Sequence, residues 1–366
     1  MFNQYYRNRR VLVTGHTGFK GSWLCEWLLG LGADVAGYAL DPRPEDLLFD
    51  QLGLGGRLAV DHRGDVADLE ALGRLVRTFR PEVVFHLAAQ PLVRLSYQCP
   101  VETFAANVMG TVHLLEAVRL AEIPCTVLCV TTDKCYENRE WLHAYREEDA
   151  MGGHDPYSAS KGAAEIAISS YRRSFFQPGG PVRLCSARAG NVIGGGDWAL
   201  DRIVPDCIRS IRADIPIPVR NKIATRPWQH VLEPVSGYLL LASSLANAGK
   251  AMEPALAAAF NFGPSLSSNR TVAQLVEALT AHAGGTWTDV SDPSAPHEAS
   301  KLNLAIDKAF HLLEWSPVWN FENTVRITSE WYLEEGRGAD PGMLCRAQID
   351  GYAKDAAAAA SPWAVR

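Results

Sequence analysis

Val11-Leu12-Val13-Thr14-Gly15-His16-Thr17-Gly18-Phe19-Lys20-Gly21-Ser22-Trp23-Leu24-Cys25-Glu26-Trp27-Leu28-Leu29 is the stretch on which the reading of the fold turns. A short apolar strand, a glycine loop and a helical segment follow one another without a break. Glycine lets the backbone turn sharply and approach a pyrophosphate, whose charge the next helix N-terminus favours. Glycines 15, 18 and 21 would be weak evidence alone; set between a first strand and a helix they have the context that the mechanism needs. A nucleotide site is therefore expected at Gly15, Thr17, Gly18, Phe19, Lys20 and Gly21. The bland alternative is a glycine-rich turn with no ligand.

Working outward, strand and helix alternate. Asp34 to Leu40 reads as a second strand ending in Asp41, twenty residues after Gly21. A carboxylate there would accept hydrogen bonds from ribose hydroxyls and repel a 2′-phosphate, which favours NAD over NADP, although Arg43 stands close by. Asp65-Val66 could clasp an adenine, and Leu87-Ala88-Ala89 puts small side chains where a cofactor ribose and nicotinamide must pass. Further strands are expected at 81–87, 125–130 and 183–188, with helices at 69–79, 100–121 and 157–176. This order indicates an α/β fold of the Rossmann type, a doubly wound parallel sheet with right-handed crossovers. After Asn191 the pattern loosens into a smaller C-terminal lobe. The expected division is 1–190 for the dinucleotide-binding domain with 222–250 packing back onto it, 191–221 and 251–345 for the substrate lobe, and 346–366 as a tail frayed around its alanine run.

The chain has 366 residues, 47% of them hydrophobic, and a net charge of −6. That allows a sizeable core and gives no general attraction to nucleic acid or an anionic membrane. Eight cysteines show no paired metal spacing and read as core residues in a reducing compartment. No run is long enough to span a bilayer and the N-terminus lacks an apolar signal core. A cytoplasmic protein without a metal centre is expected.

Two further stretches carry chemistry. Cys125-Thr126-Val127-Leu128-Cys129-Val130 reads as a buried strand, and it delivers Thr131-Thr132-Asp133-Lys134 at its carboxyl end, where open α/β sheets bind ligands. Tyr157-Ser158-Ala159-Ser160-Lys161 opens a helix, and the spacing of four puts the phenol and the ammonium on one face. A free phenol titrates at about 10. A neighbouring ammonium and an oxidised nicotinamide would both lower that, giving a base that takes a hydroxyl proton while hydride leaves the same carbon.

With these residues in place the sequence resembles the extended short-chain dehydrogenase/reductases, and more narrowly the nucleotide-sugar 4,6-dehydratases. The longer matches are Thr14 to Trp23, Thr132-Asp133-Lys134-Cys135-Tyr136, Gly190 to Trp198, Arg226-Pro227-Trp228-Gln229-His230-Val231 and His297-Glu298-Ala299. The resemblance implies a reaction in three stages on an NDP-glucose. Tyr157 takes the 4-hydroxyl proton as C4 gives hydride to NAD, with Thr132 holding the oxygen. Water is then lost across C5 and C6, and hydride returns to C6. The elimination pair of the common dehydratases is Asp-Glu, whereas this chain has Asp133-Lys134, a departure that the CDP-glucose branch of the family shares. An ammonium beside Asp133 favours its ionised form, so the acid role of Asp133 requires burial or proton sharing with the substrate. Lys134 serves as the C5 base only if desolvation lowers its pKa; otherwise it stabilises an enolate.

The resemblance also implies Lys161 as the partner of Tyr157, with both touching the cofactor. Substrate contacts are implied at Gln90, Asn191, Trp198, Arg202, Arg226, His297 and Glu298. A homodimer through helices 100–121 and 157–176 is expected, with neither nucleic acid nor membrane as a partner. A nucleotide-sugar 4-epimerase, which needs no elimination pair, and a non-catalytic NAD-binding regulator are the competing readings.

Overall fold

Seven parallel strands form the main sheet: β1 (Arg10–Thr14), β2 (Asp34–Ala39), β3 (Val60–Arg63), β4 (Val83–His86), β5 (Cys125–Val130), β6 (Val182–Ala189) and β7 (Ala259–Phe262). Their order is β7-β6-β5-β4-β1-β2-β3. The computed structural model describes residues 1–44, 46–291 and 301–365. The central strands are apolar and β-branched because helices cover both faces of the sheet; Val11, Leu12, Val13, Val83, Val84 and Phe85 have no exposed surface. The order reverses between β1 and β4, which opens a crevice at the carboxyl ends of those strands.

Helices α1 (Phe19–Gly30), α2 (Leu69–Phe79), α3 (Gly110–Ala121), α4 (Pro156–Ser174) and α5 (Leu232–Ala246) provide the crossovers. Local chemistry sets where α4 begins. Pro156 takes the first helical turn, and the Asp155 carboxylate accepts the Ser158 N–H at 2.9 Å and the Ser158 hydroxyl at 2.6 Å. The single helix expected over 100–121 is interrupted. A π turn at Ala105–Met109 separates Pro100–Phe104 from α3, and Asn107 within it accepts the Gln90 N–H at 2.8 Å.

Two expectations fail at the boundaries. β7 pairs with β6 from Ala259↔Ser186 to Phe262↔Ala189, so part of the stretch assigned to the substrate lobe is the seventh strand of the sheet. Four residues are too short a run for their alternation to be read. The alanine-rich tail is not frayed either. After α6 (Phe321–Gly336), α7 (Pro341–Ala358) is capped by Asp340 and leads to a short helix at Pro362–Val365. Tyr352 and Trp363 are buried. Trp363 stacks on Phe2 at 5.0 Å, Trp27 meets Trp363 edge-on at 5.9 Å, and Arg346 pairs with Glu26 at 3.1 Å. The alanine run closes this helix, with Ala356 buried and Ala358 to Ala360 exposed, between the buried Tyr352 and Trp363.

The remaining lobe, over the strand ends, is built from short strand pairs (217–219 with 287–289, 225–227 with 269–271) and the helix Val272–Ala283. His297 and Glu298 lie outside the described residues.

Candidate active site

The glycine loop has the form that a dinucleotide phosphate requires. Gly15 has φ +73°, and a Cβ there would lie 2.7 Å from the Ala88 nitrogen. At Gly21 a Cβ would overlap the Gly15 carbonyl oxygen, so both glycines serve the close approach of loop, helix and β4. Helix α1 starts at Gly18 without a side-chain cap, leaving first-turn N–H groups for an anion. Thr17 donates to the Leu40 carbonyl at 3.3 Å, fixing the loop to the end of β2. There the Asp41 side chain is 87% exposed, with Arg63 Nε 3.8 Å from its carboxylate. Asp65 accepts the Ala67 N–H at 2.9 Å. Val66 is buried and packs onto α3 at Gly110, where a Cβ would come within 2.5 Å of it. Phe19 is likewise buried, against Gly194. Leu87 and Ala88 are anchored through Thr14, whose backbone carbonyl and hydroxyl accept their N–H groups at 3.1 and 3.2 Å; Ala89 is half-buried beside them. The residues present fit NAD in this crevice.

At the end of β5 the backbone turns into a short 3₁₀ helix, Asp133–Cys135, capped by Thr132. The Thr132 hydroxyl donates to Asp133 Oδ1 at 2.9 Å. Asp133 is 2% exposed, and a Cβ on Gly190 would lie 3.0 Å from its Oδ2; the missing side chain at 190 makes room for the carboxylate. Lys134 is half-buried and reaches across to Asn191, its Nζ 3.4 Å from Oδ1. Tyr157 and Lys161, on α4, face the same strand end. The Lys161 ammonium donates to the Val130 carbonyl at 3.3 Å, and Thr132 is near enough to the Tyr157 phenol to lower its pKa.

The electrostatics differ from the simple expectation. Burial pushes the Tyr157 phenol up to about 12, with Thr132 and Arg202 pulling it down and Asp133 pushing it further up. Lys161 is held on the Val130 carbonyl. Burial brings Lys161 itself down to about 8. In the crevice as described, Tyr157 is a phenol.

Lys20 lies in this cluster, although its place in the glycine loop suggested the phosphate. Its Nζ is 3.3 Å from the Tyr238 hydroxyl on α5. Burial, then Arg202 and Lys161, bring it down to about 7, against the attraction of Asp133. Nothing local in the sequence marks Tyr238, which meets Lys20 across 218 residues.

Arg202 stands near Tyr157, its Nη1 bonded to Asp197 at 2.8 Å, and its pKa is raised, first of all by Asp197. Three other expected contacts have partners within the protein. Gln90 uses its side chain on Leu92 and on the Thr103 hydroxyl (2.9 Å), which braces its own loop. Trp198 is a packing residue, edge-on to Tyr332 at 5.1 Å with the Arg212 guanidinium 4.8 Å above its ring. Arg226 is buried in the 225–227 strand, its Nη1 donating to the Thr225 carbonyl at 2.9 Å. Among the described residues no cluster of His, Cys, Asp and Glu could hold a metal, and no helix is long and apolar enough to cross a membrane.

Residues 12–328 match the family model described as GDP-mannose 4,6 dehydratase. The chain belongs to this family. A relative within reach is the CDP-glucose 4,6-dehydratase of Salmonella typhimurium, 46% identical over 354 residues, covering 95% of this chain and 97% of the relative. Among solved structures, a dTDP-glucose 4,6-dehydratase from Streptomyces venezuelae with NAD bound has a TM-score of 0.75 at 23% identity, covering 91% of this chain and 99% of that one. A UDP-glucose 4-epimerase from Thermotoga maritima gives 0.76 at 23%, covering 90% and 99%. Dehydratases and epimerases of this kind share the fold, so the fold cannot choose between them.

Proposed function

We propose that the protein is an NAD-dependent hydro-lyase that converts CDP-D-glucose to CDP-4-keto-6-deoxy-D-glucose. The observation that carries this reading is the meeting of two groups at one strand end: Tyr157 and Lys161 on α4, and Thr132, Asp133 and Lys134 at the end of β5. An epimerase needs the first group and has no use for the Asp133-Lys134 pair. The 46% identity to a CDP-glucose 4,6-dehydratase over nearly the whole chain supports the same substrate.

NAD, when bound, supplies the hydride acceptor for C4, the donor for C6 and a positive ring that favours a phenolate. The Tyr157 oxygen, as a phenolate, takes the proton of the 4-hydroxyl, and the Thr132 hydroxyl holds the same oxygen. With C4 a ketone, the C5 proton is acidic. Lys134 accepts it, and Asp133 gives a proton to the C6 hydroxyl, which leaves as water. Asn191, Arg202 and Arg226 are assigned to the nucleotide, with Gln90, Trp198, His297 and Glu298 as further substrate contacts. The cofactor residues are those of the glycine loop with Asp41, Asp65, Val66 and Leu87 to Ala89.

Two coarser features support the rest of the reading. Val101, Phe104, Met109, Leu120, Ile166 and Phe175 are exposed on the helices of 100–121 and on α4 and its end, which suits a homodimer through those helices. All eight cysteines are free thiols, as expected in the cytoplasm.

Incubation with CDP-glucose and NAD, read by mass spectrometry, tests the proposal. Loss of one water from the sugar supports it. An unchanged mass with altered stereochemistry would mean an epimerase, and no turnover of any NDP-hexose would mean a regulator.

A further inference from the structure

Helix α4 carries a third buried polar residue in register with the first two. Glu165 follows Lys161 by four residues and Tyr157 by eight, so the three share one helix face. Its carboxylate is clamped. Oε1 accepts the Thr131 hydroxyl at 2.5 Å; Oε2 accepts the Ser186 hydroxyl and Arg188 Nη2, each at 2.9 Å. Arg188 in turn donates to the Tyr136 hydroxyl at 2.8 Å and the Glu147 carbonyl at 2.9 Å. Thr131 lies between Val130, whose carbonyl receives the Lys161 ammonium, and the catalytic Thr132.

We infer that Glu165 is a positioning residue of the reaction, whose clamped carboxylate keeps Lys161 an ammonium ion by attraction across one turn of α4. This rests on the proposed role of Tyr157 and Lys161. A buried lysine loses its proton readily unless an anion faces it, and Lys161 is 6% exposed. Apart from Asp133, the other titratable groups around it supply no anion near neutral pH. His86 on β4 is kept neutral, brought down to about 3 by burial and by Lys161 itself. Burial pushes the thiols of Cys129 on β5 and Cys135 on the following turn well up, so both stay protonated. Lys20 on α1 is a like charge. Asp133 acts on Tyr157 and Lys20. Tyr157 is a phenol. Glu165 stays ionised because, although burial raises its pKa, Arg188, Thr131 and Ser186 outweigh burial and bring it below the usual value. Arg188 on β6 and Arg172 on α4 face this carboxylate, with the Cys185 thiol kept protonated by burial.

The test is a pH titration of the whole protein labelled with [ε-13C]lysine, read by NMR without substrate or cofactor. The Lys161 signal is identified by its loss in Lys161→Met. The wild-type midpoint is expected at about 8, and Glu165→Gln should lower it by about one pH unit. Thr131→Val, which removes a hydroxyl but no charge, should leave it within about 0.2 of the wild type by the same reasoning. A purely structural role for Glu165 would not move the midpoint. If Glu165→Gln does not fold, Glu165→Gln with Arg188→Met leaves neither charge unpaired and should also lower the midpoint, by less. An unmoved Lys161 midpoint overturns the inference. Because no substrate is involved, that failure is separate from an error in the CDP-glucose reading.

Discussion

Two of the buried glutamates, Glu165 and Glu233, lie on different sides of the sheet and are stabilised in opposite ways. Glu165, beneath the catalytic strand end, meets a guanidinium and two hydroxyls and is held ionised. Glu233, on α5 under the C-terminal helices, accepts the Trp319 N–H at 2.7 Å, the Val318 N–H at 3.0 Å and the Tyr352 hydroxyl at 2.7 Å. No ion pair reaches it among the described residues, and burial pushes it up to about 7. Dipoles alone do not repay the desolvation of a carboxylate, whereas a bonded cation does. One region therefore keeps a fixed charge beside the chemistry; the other ties α5, the 315–319 segment and α7 together with a carboxyl that can be neutral.

The contrast can be broken at several points. Tyr157→Phe should have the largest effect, lowering turnover by about 10³-fold or more while changing urea stability by no more than about 1 kcal/mol; unaltered turnover would refute its role as base. Arg188→Met leaves Glu165 buried without its cation and should cost about 3–5 kcal/mol in denaturant unfolding. A loss under about 1 kcal/mol would show that the hydroxyls suffice without the cation, against the contrast with Glu233.

Glu233→Gln reads the other side. The folded carboxyl holds its proton up to about 7, whereas an unshifted one releases it near 4.5. The folded state then binds more protons between those values, so stability is full below pH 4.5 and falls as the pH rises through 7. The glutamine variant should lack this slope, worth up to about 3 kcal/mol, in urea melts compared at pH 5 and pH 8. Lys134→Ala should lower dehydration by about a hundredfold while sparing transient NADH absorbance and stability; normal dehydration would exclude it as the C5 base. Tyr352→Phe should have the smallest effect, about 1 kcal/mol, and should raise the Glu233 midpoint further because a donor to its carboxylate is lost.

Much of the candidate site was legible because its parts are local. The glycine loop, the turn after β5 and the Tyr157/Lys161 spacing each lie within one segment, where period and residue type are sufficient. Glu165 carries the same helical signal as Lys161, but a carboxylate one turn further along an α-helix usually faces solvent, so the spacing alone does not mark it. The seventh strand and the anchored tail are illegible in the sequence for another reason. A four-residue run and an alanine tract acquire meaning only from what packs on them, here β6 for one and Trp27 with Phe2 for the other.

By itself the sequence determined the order of strands and helices, the strand ends that bear chemistry, and the exchange of a lysine into the elimination pair, since covalent neighbours cannot be rearranged by folding. Only the tertiary structure decided which charges face one another. Lys20 enters the catalytic cluster by meeting Tyr238, Glu165 acquires Arg188, and Gln90 turns away to Thr103. The physical reason is that a pKa depends on burial and on groups brought close in space, and those groups lie tens to hundreds of residues apart along the chain.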